Sequence, residues 1–210
     1  MEYNISAYSI IKDHKVYLNE SLYYSAEKNI SFEEFIKAVY KNSGITYSPF
    51  YKMDNMSKLG FMAAELVIGK SKIPEKYPLE EVSMVFSNRS SSLDTDNNYF
   101  ETIKDKRNYF PSPAVFVYTL PNIVMGEICI RNKIKGETAF FISEQFDPEL
   151  MVNYVSNLIE VESAGCCIAG WVELYKENYE CLLVVVEKGQ TNKDELKFTV
   201  NNLKQLYNKI

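Results

Sequence analysis

The chain has 210 residues, 46% of them apolar and 14% aromatic, which is enough for one substantial core and short enough that a single domain over 1–210 is expected. Acidic residues outnumber basic ones, 28 to 23, and the two signs are interspersed, so neither nucleic acid nor an anionic membrane is an expected partner. No apolar run approaches the ~20 residues of a spanning helix, and the N-terminus has neither a basic nor a long apolar segment, so the cytoplasm is the expected compartment.

Residues Tyr3 to Lys12 alternate loosely and are rich in Tyr and Ile, as a first strand would be. Ser31-Phe32-Glu33-Glu34 is a capping box, and Phe32, Phe35, Ile36, Val39 and Tyr40 recur at helical spacing until Gly44. A second helix is predicted over Asn55 to Ile68, with Asp54 or Asn55 as its cap and Gly69 as its stop. Val82, Met84 and Phe86 predict a strand over Glu81 to Ser87. Asn88 to Asn98 then reads as a polar loop entering a helix near Tyr99 to Asp105.

Leu120-Pro121-Asn122 opens a further predicted helix, with Pro121 suited to its first turn. Beyond it the pattern predicts a strand over Thr138 to Ile142, a helix over Pro148 to Glu160 and strands over Gly165 to Leu174 and Cys181 to Glu187. The continuous run Leu182-Leu183-Val184-Val185-Val186 marks a strand covered on both faces. A last helix is predicted from Asn192 or Lys193 to about Leu206. Alternating strands and helices, without repeats or a linker composition, point to one α/β sandwich.

Residues that could carry chemistry are sparse. Cys129, Cys166, Cys167 and Cys181 sit among apolar neighbours with no C-x-x-C pair, which predicts buried reduced thiols and no metal site. Cys166 and Cys167 point to opposite faces of a strand, so one of them could be accessible. His14, the only histidine, is expected at the surface. Ser87-Asn88-Arg89-Ser90-Ser91-Ser92 is a candidate phosphate loop without the glycines of a P-loop. Asp94 and Asp96 have the spacing of metal ligands but lack the third carboxylate and glycine of a calcium loop. No cofactor is expected.

Three blocks resemble the β-ketoacyl synthases of the thiolase superfamily. Ser43-Gly44-Ile45, followed by Met53-Asp54-Asn55-Met56-Ser57-Lys58-Leu59 and Ala63-Ala64-Glu65-Leu66, is similar to the family's Ser-Gly-Ile turn and Asp-x-x-Ser helix. Leu120-Pro121-Asn122, continuing through Gly126-Glu127-Ile128-Cys129-Ile130-Arg131 to Gly136, resembles its Leu-Pro-Asn helix and glycine loop. Gly136 to Glu173, ending Ala169-Gly170-Trp171-Val172-Glu173, resembles the strand, nucleophile and helix of the family, with the following strand that closes on Ala-Gly-Gly-x-Glu. Together the blocks cover most of residues 43 to 187.

The resemblance implies a thiolase-like α/β half-domain, with a mixed, mostly parallel sheet and helices on both faces. It puts Gln145 where the family has its catalytic cysteine, as in chain-length factors and in glutamine-bearing decarboxylating domains, and no catalytic residue is assigned with it. An amide cannot become a comparable nucleophile, but it can donate hydrogen bonds to a thioester oxygen. Alternatively, Gln145 fills the old cysteine site and bonds neighbouring backbone. Asp147 with Pro148 would start the next helix beyond Gln145, away from the helix dipole.

The family's second half and its two histidines have no counterpart in this chain. The implied function is a non-catalytic partner or chain-length-factor-like subunit in fatty-acid, polyketide or aryl-polyene biosynthesis. The implied partners are a second copy of the chain or a condensing-synthase subunit, together with an acyl carrier protein. An acyl-thioester decarboxylase or hydrolase using Gln145 as oxyanion donor is the alternative. One helix layer and the edge at Thr138 to Ile142, which resembles the strand paired across the synthase dimer axis, are expected to lack cover in a monomer.

Overall fold

A computed structural model describes residues 2–27, 29–107, 109–161, 164–189 and 196–209. Strand β1 (Tyr3–Lys12) turns through Asp13 and His14, at φ 48° and 58°, into β2 (Lys15–Leu18), and Asn19 at φ 52° leads on to β3 (Ser21–Ser25). The sequence pattern shows β1 but not β2 or β3. Both are short, and Asp-His and Asn-Glu stand where a hairpin's glycine dipeptide would be read.

Helix α1 (Phe32–Ser43) is bounded as expected. The Ser31 hydroxyl accepts the Glu34 N–H at 3.3 Å, the Glu34 carboxylate accepts the Ser31 N–H at 2.9 Å, and Gly44 ends the helix at φ 70°. In α2 (Asn55–Ser71) Asp54 Oδ1 caps the Ser57 N–H at 2.9 Å. This helix passes the expected stop at Gly69 and ends at Lys72, φ 58°. Ser71 is buried and bonds back to the Val67 carbonyl at 2.7 Å, so tertiary packing holds the last turn against glycine's weak helix propensity.

After α3 (Ile73–Lys76) and β4 (Val82–Asn88), α4 (Leu93–Ile103) begins well before the Tyr99 expected from the pattern. Ser, Asp and Asn usually divert backbone from helix by bonding to it locally. Here those side chains are engaged in tertiary bonds: the Ser92 hydroxyl donates to the Thr119 carbonyl at 2.7 Å and the Thr95 hydroxyl to Asp54 at 2.6 Å. The chain continues through α5 (Pro113–Phe116), α6 (Ile123–Asn132), β5 (Thr138–Ile142), α7 (Pro148–Val161), β6 (Cys166–Tyr175) and β7 (Asn178–Lys188). It ends in β8 (Leu196–Lys197) and α8 (Val200–Tyr207). The last helix therefore starts at Val200, where the Thr199 hydroxyl accepts the Asn202 N–H at 3.2 Å; the expected start at Asn192 or Lys193 lies outside the described residues.

The sheet order is β3-β2-β1-β7-β6-β4-β5, with β8 paired to β1. β1, β6, β4 and β5 point the same way and β7 runs against them, although among the described residues parallel ladders are confined to β5–β4–β6. Central strands alternate between two cores: Ile168, Val172, Leu183 and Val185 face α1, α2 and α6, while Ala169, Trp171, Leu182 and Val184 face α7 and α8. This is why β7 reads as a continuous apolar run. Gly170, at φ 151°, lets β6 and β7 approach, since a Cβ there would lie 1.9 Å from the Leu182 carbonyl oxygen.

The helix layers correct the expectation of an uncovered face. Leu59, Phe61, Met62, Ala63, Ala64 and Val67 of α2 are fully buried, and only Gly69 and Lys70 of this helix are exposed. On the other side the outward positions of α7, Glu149, Asn153, Asn157 and Glu160, are polar and exposed, and α8 seals the adjoining sheet with Leu203 and Leu206. A polar outer face needs no apolar cover. The helix layers leave Ile130 of α6 and Val161 of α7 exposed, and further open surface lies at the outer edge of β5 and at Phe100, Phe110, Phe116, Val117 and Leu120 around α4 and α5.

Candidate functional site

His14, the segment from Asn88 to Ser92 and Gln145 follow the carboxyl ends of β1, β4 and β5, whereas Cys166 and Cys167 open β6, Cys181 lies in β7 and Cys129 in α6. Gln145 lies exposed in the loop from β5 to α7. That loop is anchored by the Ser143 N–H, which donates to the Asn88 carbonyl at 2.9 Å, and by Asp147 Oδ1, which accepts the Glu149 and Leu150 N–H groups at 2.9 and 3.0 Å. Asp147 is thus the helix cap, and Gln145 stands before it, outside the reach of the first-turn donors. The side chain driven into the core is Phe146, its ring 6.1 Å from Trp171 and 4.9 Å from Tyr207. A cavity of about 450 Å³ opens beside Gln145, closed on the far side by Lys204, which lies 3.9 Å from Glu149.

The candidate phosphate loop is already filled by a carboxylate of the same chain. Glu173, buried in β6, accepts the Arg89 N–H at 2.7 Å, the Ser90 N–H at 3.0 Å and the Ser90 hydroxyl. Successive backbone N–H groups in such a turn form an anion nest, and here its donors are spent on Glu173. Asp94 accepts the Lys176 N–H at 2.9 Å and Asp96 the Ser92 hydroxyl at 3.2 Å; among the described residues no cluster is arranged to hold a metal ion.

The thiols are poor nucleophiles. Burial pushes Cys166 up to about 12 and raises Cys167, Cys181 and half-buried Cys129 as well, so the adjacent pair in β6 offers no accessible thiol. His14 is not a free surface residue. Its ring packs edge-on to Phe35 and Tyr179 at 5.2 and 5.9 Å, with Nε2 2.9 Å from the Ile30 carbonyl.

Sequence reasoning missed Glu173 and Glu180, which face each other across β6 and β7. Glu180 accepts from the Trp171 indole at 3.0 Å and the Tyr207 hydroxyl at 2.7 Å, and pairs with Lys12 at 3.2 Å. Both border a polar cavity of about 390 Å³ with His14 and Arg89. The available signal was an acid between the buried positions Val172 and Leu174, where an ionised side chain needs partners.

No protein-family model matches the chain, and no curated protein does. Solved structures do. The ishigamide ketosynthase/chain length factor matches over 92% of this chain and 64% of its own, with a TM-score of 0.61 at 15% identity. This is the thiolase-like fold of ketosynthases and chain length factors. The same thiolase-like fold matches a type II PKS acyl-carrier protein in complex with its ketosynthase bound to the hexaketide (AntDE:AntF), over 89% of this chain and 62% of that one, with a TM-score of 0.61 at 12% identity. It also matches the ketosynthase ApeO in complex with its chain length factor ApeC from Xenorhabdus doucetiae, over 99% and 91%, with a TM-score of 0.58 at 11% identity. The chain thus spans under two thirds of the first two matched chains and nine tenths of the third.

Proposed function

We propose that the chain is a non-catalytic, chain-length-factor-like subunit that works beside a condensing synthase, with an acyl carrier protein as the source of the growing chain, in fatty-acid, polyketide or aryl-polyene biosynthesis. Gln145 carries this reading. On a thiolase-like fold the resemblance assigns it the nucleophile's place, yet it is an amide, exposed, and set before the helix cap. A thiolate there would draw on helix N–H groups and an adjacent base; the four cysteines are buried or half-buried elsewhere in the fold and the His14 ring is engaged with the Ile30 carbonyl. Two of the similar structures are described as a ketosynthase with a chain length factor. The uncharged β5 edge and the exposed aromatics Phe100, Phe110 and Phe116 offer a partner apolar surface.

The test is incubation with malonyl-acyl-carrier protein, followed by isolation of what co-purifies from the native cell. No turnover by the chain alone and recovery of a condensing synthase are the expected results. Turnover abolished by Gln145→Ala would replace this reading with a thioester decarboxylase or hydrolase in which the Gln145 amide binds the oxyanion.

A further inference from the structure

Lys58 lies one turn beyond the Asp54 cap of α2 and is 5% exposed, the one buried lysine among the described residues. The acids whose charge it feels, Glu33 of α1 and Asp54, are committed elsewhere. Glu33 pairs with Lys37 at 2.6 Å. Asp54 spends Oδ1 on the Ser57 N–H at 2.9 Å and Oδ2 on the Thr95 hydroxyl at 2.6 Å. The Lys58 amine makes no ion pair or hydrogen bond among the described residues, and its nitrogen is not sealed from solvent. Its stem is therefore enclosed while Nζ reaches the surface beside α1, the arrangement by which a long cationic side chain covers apolar surface with its stem.

We propose that Lys58 is a covalent modification site, the lysine of this chain that small acyl thioesters acylate first. In the step, the Nζ lone pair bonds to the thioester carbonyl carbon and the C–S bond breaks with its electron pair leaving on sulfur. The proton lost by nitrogen ends on the released thiol. Only an unprotonated amine can do this. Exposed lysines keep the ammonium in water, which favours the charged form, whereas at Lys58 burial removes part of that hydration and no partner replaces it. Burial accordingly holds the Lys58 ammonium below the ordinary lysine range, with Glu33 and Asp54 opposing the effect and Lys37 adding to it. The amide product carries no charge, so acylation also ends the cost of holding an ammonium against the core. The site needs only this amine and stands whether or not the chain has a synthase partner.

Incubation of the intact chain with acetyl-coenzyme A at neutral pH, followed over time by peptide mass spectrometry, reads the order in which lysines are labelled. Lys58 is expected to lead exposed Lys41, at the end of α1, and Lys37, paired with Glu33, by about tenfold in initial rate. The lead should shrink as the pH approaches about 10, where ordinary lysines give up their proton. It should vanish in the urea-unfolded chain, where Lys58 is hydrated like the others. Labelling of Lys58 no faster than that of Lys41 in the folded chain would overturn the proposal. A lead that survives unfolding would overturn it too, since the neighbouring sequence rather than burial would then set the rate.

Discussion

At the scale of residues, the buried carboxylates do more for this molecule than the position that drew attention in the sequence. Glu173 holds the turn after β4 by accepting the Arg89 and Ser90 N–H groups and the Ser90 hydroxyl, and Glu173→Ala would remove that acceptor. A loss of about 1–3 kcal/mol per stranded donor is the usual scale, so the variant should lose about 3 kcal/mol in urea unfolding, and Glu173→Gln, which keeps an acceptor, about half of that. Asp54 behaves differently. Burial raises its carboxyl above the ordinary range, while the hydrogen bonds from Ser57 and Thr95 oppose that rise. Because its folded pKa exceeds the unfolded one, the native state holds the proton more tightly. Stability therefore falls as pH rises through the window from the ordinary carboxylate range to the raised value. Asp54→Asn keeps the cap and removes this titration, so the wild-type urea midpoint should fall relative to that of the variant across that window, and the variant should equal or exceed the wild type at neutral pH. A wild-type midpoint that rose with pH there, relative to the variant, would contradict the assignment.

At the scale of elements, the C-terminal segment is a separate fastening. Leu203 of α8 is buried in the core between this helix and the sheet, and the described helix begins only at Val200. Leu203→Ala should cost about 2–5 kcal/mol of the local stability of this segment, as large-to-small core changes do. Amide exchange should show α8 opening while β6 and β7 stay protected; a uniform rise in all elements would show that α8 folds only with the whole. The sequence made most elements legible because their chemistry is local: the Ser31 capping box, Gly44, the Asp54 cap and the apolar run of β7 each specify structure within a few residues. What it hid depends on distant partners. The polar start of α4 is helical because Thr95 finds Asp54 and Ser92 finds Thr119, and α2 outruns Gly69 because Ser71 is enclosed by other elements. For the site, the family resemblance pointed to the loop at Gln145, and Asp147 with Pro148 marked a helix start beyond it. It could not show Phe146 taking the buried place, or Glu173 filling the nest, because both follow from strands brought together by the fold.

At the scale of the whole molecule, exposed apolar side chains include the end of the edge strand β5 and the segments after α4 and α5. Ile142, at the end of β5, is 53% exposed and Leu120, after α5, is 55% exposed. The two are tied to one turn: the Ser143 N–H bonds Asn88 at 2.9 Å, and the Ser92 hydroxyl bonds Thr119 at 2.7 Å. Both segments are thus fastened to the turn that follows β4, and β5 carries no charge or proline that would discourage pairing with another strand. The opposite edge, β3, provides an internal control, because Leu22 there is equally exposed, at 54%, but stands apart from those segments. Ile142→Lys and Leu120→Lys should each weaken association with a second subunit by about 1–3 kcal/mol, the scale of anchor residues at an interface. Their urea midpoints should move by no more than about 0.5 kcal/mol, as expected for exposed sites. Leu22→Lys should leave association unchanged. Sedimentation of the three variants beside the wild type reads this directly: a wild type that stays monomeric at high concentration and with its synthase, or a Leu22→Lys variant as impaired as Ile142→Lys, would remove β5 and its apolar flank as the docking surface.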